Sequence, residues 1–394
     1  MSTDSTIRTL RDRLADVRDP RIHRTRRHEL IDVLFITICA VLAGAEDFVT
    51  IAEFGQAKRE WFSQRLKLSN GIPSHDTFAR VFARLDPGTL NTVVMEWIDS
   101  IKHQVAARLE NTDMYSDENQ IALDGKTLRR SFDNANGKGA IHMVSAWSSR
   151  ARLVLGQVKV DAKSNEITAI PQLLRLLDIT GCLITIDAMG CQKSIATQIH
   201  DQGADYVLAL KDNQANLARD ARLFVEHAQS QKYEDVVKRT YTTVEKDHGR
   251  IDTRRYLLVG LPEGIAWQDE RRDWTGLQSI GIVESTRQIG ENTTTDTRYY
   301  ISSIPVRQKG SARRFGQAVR GHWGIENSLH WTLDVGFNED ACRVRKDNAP
   351  ENLSIIRHIA LNILKQDVTA KIGVKSRRLR AGWSNDYLEH LLTI

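Results

Sequence analysis

The segment "CLITID", residues 182–187, restricts the fold more than any other part of the chain. Leu183, Ile184 and Ile186, with the β-branched Thr185, present no polar face, so they read as a short strand buried on both sides inside a parallel sheet. That strand ends on Asp187, and an unpaired carboxylate at the edge of so apolar a run is costly unless a cation or hydrogen-bond donors compensate. The pattern occurs twice. In "NQIALDGKTLRRS", Ile121, Ala122 and Leu123 run into Asp124.

The segments around these two acids predict how the chain is divided. Between residues 118 and 231, three strands ("IALD", "IHMVSAWSS" and "RLVLGQVKV") are followed by helix, strand, helix, strand and helix. Such an order predicts a mixed sheet flanked by helices, with crossovers making "CLITID" and "YVLALK" parallel to "IALD". Residues 232–308 read as a β-rich insertion, and residues 309–394 return to helix and end in a basic tail. Residues 1–112 read as an all-helical domain, with Asp32–Leu42 as its core helix and Ser74 as an N-cap. Its arginine-rich leading edge suits DNA binding, and packing or dimerisation fits the same pattern.

A net charge of +5 favours a polyanionic partner only modestly, but the arginines crowd both termini while residues 110–120 are acidic. Four cysteines, Cys39, Cys182, Cys191 and Cys342, show no zinc-site or disulfide spacing, which points to a reducing compartment. The longest apolar run, Val33–Ala45, is too short to span a bilayer and reads as a buried helix, so no membrane association is expected.

If "IALD" and "CLITID" are neighbours, about 4.8 Å apart, Asp124 and Asp187 come within reach of one ion. Two bare carboxylates that close resist double ionisation; a divalent cation reverses the penalty, and oxygen ligands that leave room for phosphate suit Mg²⁺. A third acid is expected from "HWGIENSLHW", where His322 and His330 fall within about 40° of Glu326 on a helical face.

These residues resemble the H-repeat-associated insertion-sequence transposases, a family of DDE transposases. The likeness rests on "GIPSHDTFARV", "ALDGKTLRRS", "KSNEITAIPQLL", "TIDAMGCQK", "RYYISS", "HWGIENSLHWTLDVGFNED" and "NAPENLSIIRHIALNIL", and covers nearly the whole chain. The resemblance implies an RNase H-like α/β catalytic core, a mixed five-stranded sheet with flanking helices, interrupted by the β-rich insertion. It places the catalytic and metal-binding acids at Asp124, Asp187 and Glu326, with two Mg²⁺ ions that Mn²⁺ can replace. It further implies double-stranded DNA (terminal repeats and target) as partner, a homodimer in the DNA complex, and a bacterial cytoplasmic protein that meets the nucleoid through DNA.

In the wider superfamily a Tyr, an Arg and a Lys accompany the glutamate; Val319, His322 and Leu333 stand at those positions here. Substitute phosphate contacts are therefore expected from Arg320, His322, His330 and Arg343, alongside Lys126, Arg129, Lys193 and Lys211 just beyond the core strands. Trp267 and Trp274 read as core residues, with base stacking as the alternative; Asp212 is a remote substitute acid, and His248 and Arg250 mark a turn between strands, with a DNA contact by Arg250 as the alternative.

One general acid or base supplies about 10²- to 10⁴-fold, far short of what phosphodiester cleavage requires, whereas a two-cation site can act on the attacking and leaving oxygens together. The expected function is metal-dependent cleavage of transposon ends with strand transfer. The alternatives are an RNase H-like nuclease that never joins strands and a catalytically inactive DNA-binding derivative. A carboxylate-pair glycosidase leaves the basic termini unexplained.

Overall fold

The structure, a computed structural model, describes residues 5–109, 119–133, 137–161, 164–247, 249–262 and 267–393. His248 and most of the acidic linker lie outside the described residues. Nine strands form one sheet: β1 (Gln120–Leu128), β2 (Ile141–Ser148), β3 (Leu153–Lys159), β4 (Leu183–Ile186), β5 (Asp205–Leu210), β6 (Lys238–Asp247), β7 (Arg250–Gly260), β8 (Ser279–Ile289) and β9 (Asn292–Ser302). Their order is β3-β2-β1-β4-β5-β9-β8-β7-β6. The first five are the mixed sheet of an RNase H-like core, with β1, β4 and β5 parallel and β2 and β3 antiparallel.

The β-rich segment does not stand apart from this core. Strand β9 pairs antiparallel with β5, so the insertion extends the same sheet. Near the core its strands are buried through Tyr256, Leu257, Leu258 and Val259, Ile280 and Ile282, and Tyr300 and Ile301. Their far ends, such as Lys246–Asp247 and residues 292–298, project into solvent.

Helices Glu166–Leu176, Lys193–Asp201 and Ala215–Ser230 cover one face of the core sheet, as the crossovers require. The other face meets helix Ser311–Ile325 and, farther along, the amino-terminal helices. Those helices have no core of their own. Phe35, Phe62, Phe82 and Trp97 belong to the same buried cluster as Leu353, Ile356 and Leu388 from the carboxyl-terminal helices. Helix Ala349–Gln366, buried along most of its length, lies between them. Its Asn352 donates to the Phe82 and Leu85 carbonyls at 2.8 and 2.9 Å. Its Asn362 pairs with both backbone groups of Val154, at 2.8 and 3.0 Å, and so blunts the open edge of β3.

One local expectation changes. Ser74 occupies the N-cap position, but its hydroxyl meets the Thr77 hydroxyl instead of a backbone N–H. The segment from Asp47 onward forms two helices, Phe48–Ala57 and Arg59–Ser63, the first opened by an Asp47–Thr50 capping box. Helix Leu30–Leu42 is buried nearly all round, and among the described residues no helix is long and apolar enough to cross a membrane.

Candidate active site

The two aspartates owe their placement to strand register. Parallel pairing of β1 with β4 ends at Leu123 opposite Ile186, so Asp124 and Asp187 are the next residue on each strand. Strand β4 stops there. Strand β1 continues to Leu128, because β2 still pairs with it from Asp124 through Leu128, and Asp124 therefore lies inside a strand and not at its end. The Asp187 carboxylate accepts hydrogen bonds from the Met189 and Gly190 N–H groups, at 3.0 and 3.3 Å.

Glu326 arrives on helix Ser311–Ile325, whose docking is specified by close contacts. At Gly321 an added Cβ would lie 2.1 Å from the Gln120 side-chain oxygen. Gln120 in turn donates to the Ala318 carbonyl at 2.7 Å and to the Thr185 hydroxyl at 3.1 Å. His322 meets that hydroxyl through Nδ1 at 3.1 Å. The helix then widens into a π turn over Glu326–His330, where the Trp331 N–H reaches back to the Glu326 carbonyl. Within this turn His330 Nδ1 lies 3.2 Å from Glu326 Oε2 and 3.5 Å from Asp124 Oδ2. Ligand atoms of Asp124, Glu326 and His330 all fall within 4.8 Å of one another. Asp187 is beside Asp124, near enough for their charges to interact, but outside that cluster.

A fourth acid is present that the sequence reading did not single out. Glu166, the first residue of its helix behind the Asn165 cap, acts electrostatically on both Asp124 and Asp187. It is held by His142 Nε2 at 2.6 Å, and His142 Nδ1 meets the Thr127 hydroxyl at 2.8 Å. The space for this pair exists because residue 125 is glycine: a Cβ there would lie 2.1 Å from Glu166 Oε1 and 2.5 Å from His142 Nε2. An acid in the first turn of a helix is ordinary, so only the "KSNEITAIPQLL" motif itself could have drawn attention to it.

The electrostatics follow from this crowding. Burial, then the neighbouring Asp187, Glu166 and Glu326 charges, push the Asp124 carboxyl up to about 7, against the pull of the Gly125 N–H. Burial and Glu166 raise Asp187 too, while its two backbone donors and Lys211 oppose the rise. His322 is depressed to about 4 by burial, so it is neutral at pH 7. Burial lowers His330 as well, partly offset by Glu326.

The expected phosphate contacts divide into three groups. Lys126 is enclosed: its ammonium binds Asp334, Glu339 at 3.1 Å and Asp340 at 3.4 Å, and Glu339 is also paired with the buried Arg357. His322 and His330 face inward, as described above. Lys211 and Arg343 are exposed; Arg129, Lys193 and Arg320 are exposed but paired with Asp340, Asp273 and Glu245. The two remaining signature positions, Val319 and Leu333, are core residues. Asp212 points into solvent and pairs loosely with Arg222 at 3.7 Å, away from the acids described above. Trp267 and Trp274 are buried in the core, the former against Phe224. Arg250 pairs with Asp252 at 3.4 Å.

Aspartates on neighbouring parallel strands and a helical glutamate beside Asp124, on an RNase H-like sheet, are the arrangement expected of a DDE protein, and the chain's relatives are of that class. Residues 115–363 match the family described as "Transposase DDE domain", and residues 11–98 match the domain described as "DDE_Tnp_1-associated". The chain is 42% identical over 390 residues to "Putative transposase YncI" of Escherichia coli O157:H7, covering 98% of this chain and 95% of the relative. It is 39% identical over 390 residues to "H repeat-associated putative transposase YhhI" of Escherichia coli strain K12, covering 98% of each. A shorter match, 46% over 57 residues, is to "Inactive transposase YbfQ" of the same strain. The chain belongs to the DDE transposase family of insertion sequences.

Proposed function

We propose that this chain is a catalytically competent transposase that cleaves the ends of its insertion sequence and joins the freed 3′-ends to target DNA. The observation that carries the proposal is the register of β1 and β4, which brings Asp124 and Asp187 side by side one residue past their last pair, with Glu326 delivered over them.

The donor set fits divalent cations: clustered carboxylates whose ionisation is suppressed by burial and by one another are the groups a cation would relieve. Asp124, Asp187 and Glu326 would hold them. When bound, such cations activate the attacking oxygen and stabilise the leaving one. The protein supplies position. Asp187 is fixed by two backbone donors, Asp124 by the β1 backbone, and Glu326, about half exposed, sits where a DNA backbone can reach it. In the first step a water oxygen forms the new bond to phosphorus at the transposon end, and the bond to the departing 3′-oxygen breaks. In the second, that 3′-hydroxyl attacks a target phosphate and displaces another 3′-oxygen. Lys211, whose charge reaches Asp187, and the exposed Arg129 and Arg343 suit the flanking phosphates, and two ends handled together call for a dimer.

The test uses DNA carrying the ends that flank the chain's own genomic copy, with Mg²⁺ or Mn²⁺. Wild type is expected to cut at the ends and to join a precut end to target, while Asp124→Asn, Asp187→Asn and Glu326→Gln bind DNA but do neither. Cleavage without joining indicates a nuclease, and undiminished activity in all three variants would overturn the assignment.

A further inference from the structure

We infer that His330 is a direct ligand of the cation held by Asp124 and Glu326, giving a mixed nitrogen–oxygen centre with a preference for Mn²⁺ over Mg²⁺. This rests on the proposed cation site and adds a residue to it.

Three observations converge on the imidazole. The first is distance. Ligands at right angles around an octahedral ion with bonds of 2.0–2.1 Å are about 2.8–3.0 Å apart. His330 Nδ1 lies 3.2 Å from Glu326 Oε2 and 3.5 Å from Asp124 Oδ2, so a small inward movement of the exposed Glu326 side chain would complete that edge. The second is the backbone. The π turn spans Glu326–His330, and its two ends are the two residues that face Asp124. Such turns weaken helical hydrogen bonding and recur at functional sites.

The third is an unsatisfied atom. The His330 side chain is 5% exposed, and its Nε2 is buried with no hydrogen-bond partner among the described residues. In the chain alone, the contact with the Glu326 carboxylate favours the proton on Nδ1, a tautomer in which Nε2 would be a stranded acceptor in the interior. Coordination through Nδ1 reverses the tautomer: the lone pair points at the cation and the proton moves to Nε2. A proton on the ring is favoured by the buried Glu339 carboxylate, whose negative charge acts on His330. A nearby negative charge of this kind favours a ligating imidazole, whose other ring nitrogen carries the proton. Imidazole ligands suit transition metals, whereas all-oxygen sites suit Mg²⁺, hence the expected preference.

The experiment loads the full chain with Mn²⁺ and records electron spin-echo modulation by nitrogen, with natural-abundance and ¹⁵N-histidine-labelled protein. The expected result is nitrogen modulation that changes on labelling, disappears in His330→Gln and persists in His322→Gln. Mn²⁺ affinity in His330→Gln should fall about tenfold, with a smaller change for Mg²⁺. Since His330 is buried, labelled His322→Gln and His142→Gln proteins that keep the signal assign it to His330 even if the His330 variant misfolds. Mn²⁺ binding that needs Asp124 and Glu326 but carries no histidine nitrogen signal overturns the ligand role and leaves the cation site standing. Mn²⁺ binding unaffected by Asp124→Asn and Glu326→Gln overturns the site itself.

Discussion

Replacing Asp124 by Asn should make the metal-free protein more stable, and increasingly so as pH rises. Burial and three neighbouring acids lift the Asp124 carboxyl from 3.8 to about 7, so between those values the folded chain retains a proton that the unfolded chain has released. Stability must then fall as pH rises through that window, because the native state binds more protons than the unfolded state. Once the carboxyl is ionised in the fold, at pH 8, its presence costs about 4 kcal/mol relative to the unfolded chain. At pH 5 the cost is only about 2 kcal/mol, since part of the window has not been crossed. A neutral amide in its place carries no such cost. Denaturant unfolding of wild type and Asp124→Asn in EDTA, at half-unit steps from pH 5 to pH 8, should show the variant's advantage widening by about 2.5 kcal/mol. Added Mn²⁺ should close the gap by stabilising wild type alone. A difference that is flat or shrinks with pH would mean that crowded carboxylates do not govern this site.

Three further outcomes are expected. Gly125→Ala places a methyl group where Glu166 and His142 meet, so DNA cleavage should drop about tenfold or more while the melting temperature shifts little, and Glu166→Gln should match it; full activity in both would remove Glu166 from the site. Lys126→Met breaks a buried cluster and should cost about 3–5 kcal/mol in unfolding experiments without changing the salt dependence of DNA binding. Lys211→Ala should lower the slope of log affinity against log salt by about 0.9, the signature of one lost phosphate contact, and an unchanged slope would take Lys211 off the DNA.

The alternation of strands and amphipathic helices from "IALD" to "NQANLARDARLFVEHA" was legible because "IALD", "CLITID" and "YVLALK" are short, nearly apolar runs, and this placed Asp124 and Asp187 on neighbouring parallel strands. Pairing with β2 carries β1 past Asp124, and nothing within "LDGKTL" announces a partner that begins at residue 141. Lys126 illustrates the same limit. Its position two residues after an acidic site suggested a phosphate contact, but strand alternation puts Asp124 and Lys126 on one side, and Lys126 meets acids more than 200 residues away. The insertion's strands were readable one by one, whereas their addition to the β5 edge depends on β9, the last of them in the chain. Glu166 was obscure for a related reason, since an acid in a first turn is commonplace until its neighbours are known, and His330, though legible on the Glu326 face, was read as a phosphate contact and not as a partner of the acids.

The shared packing around helix Ala349–Gln366 has a consequence for biosynthesis. The first hundred residues leave the ribosome long before the segment that covers Phe35, Phe82 and Trp97 has been translated. Until then those side chains lack their cover, and the nascent chain must wait in a partly collapsed, aggregation-prone form. A copy of the gene interrupted upstream of codon 349 would therefore fail to fold at its beginning as well as lack its end.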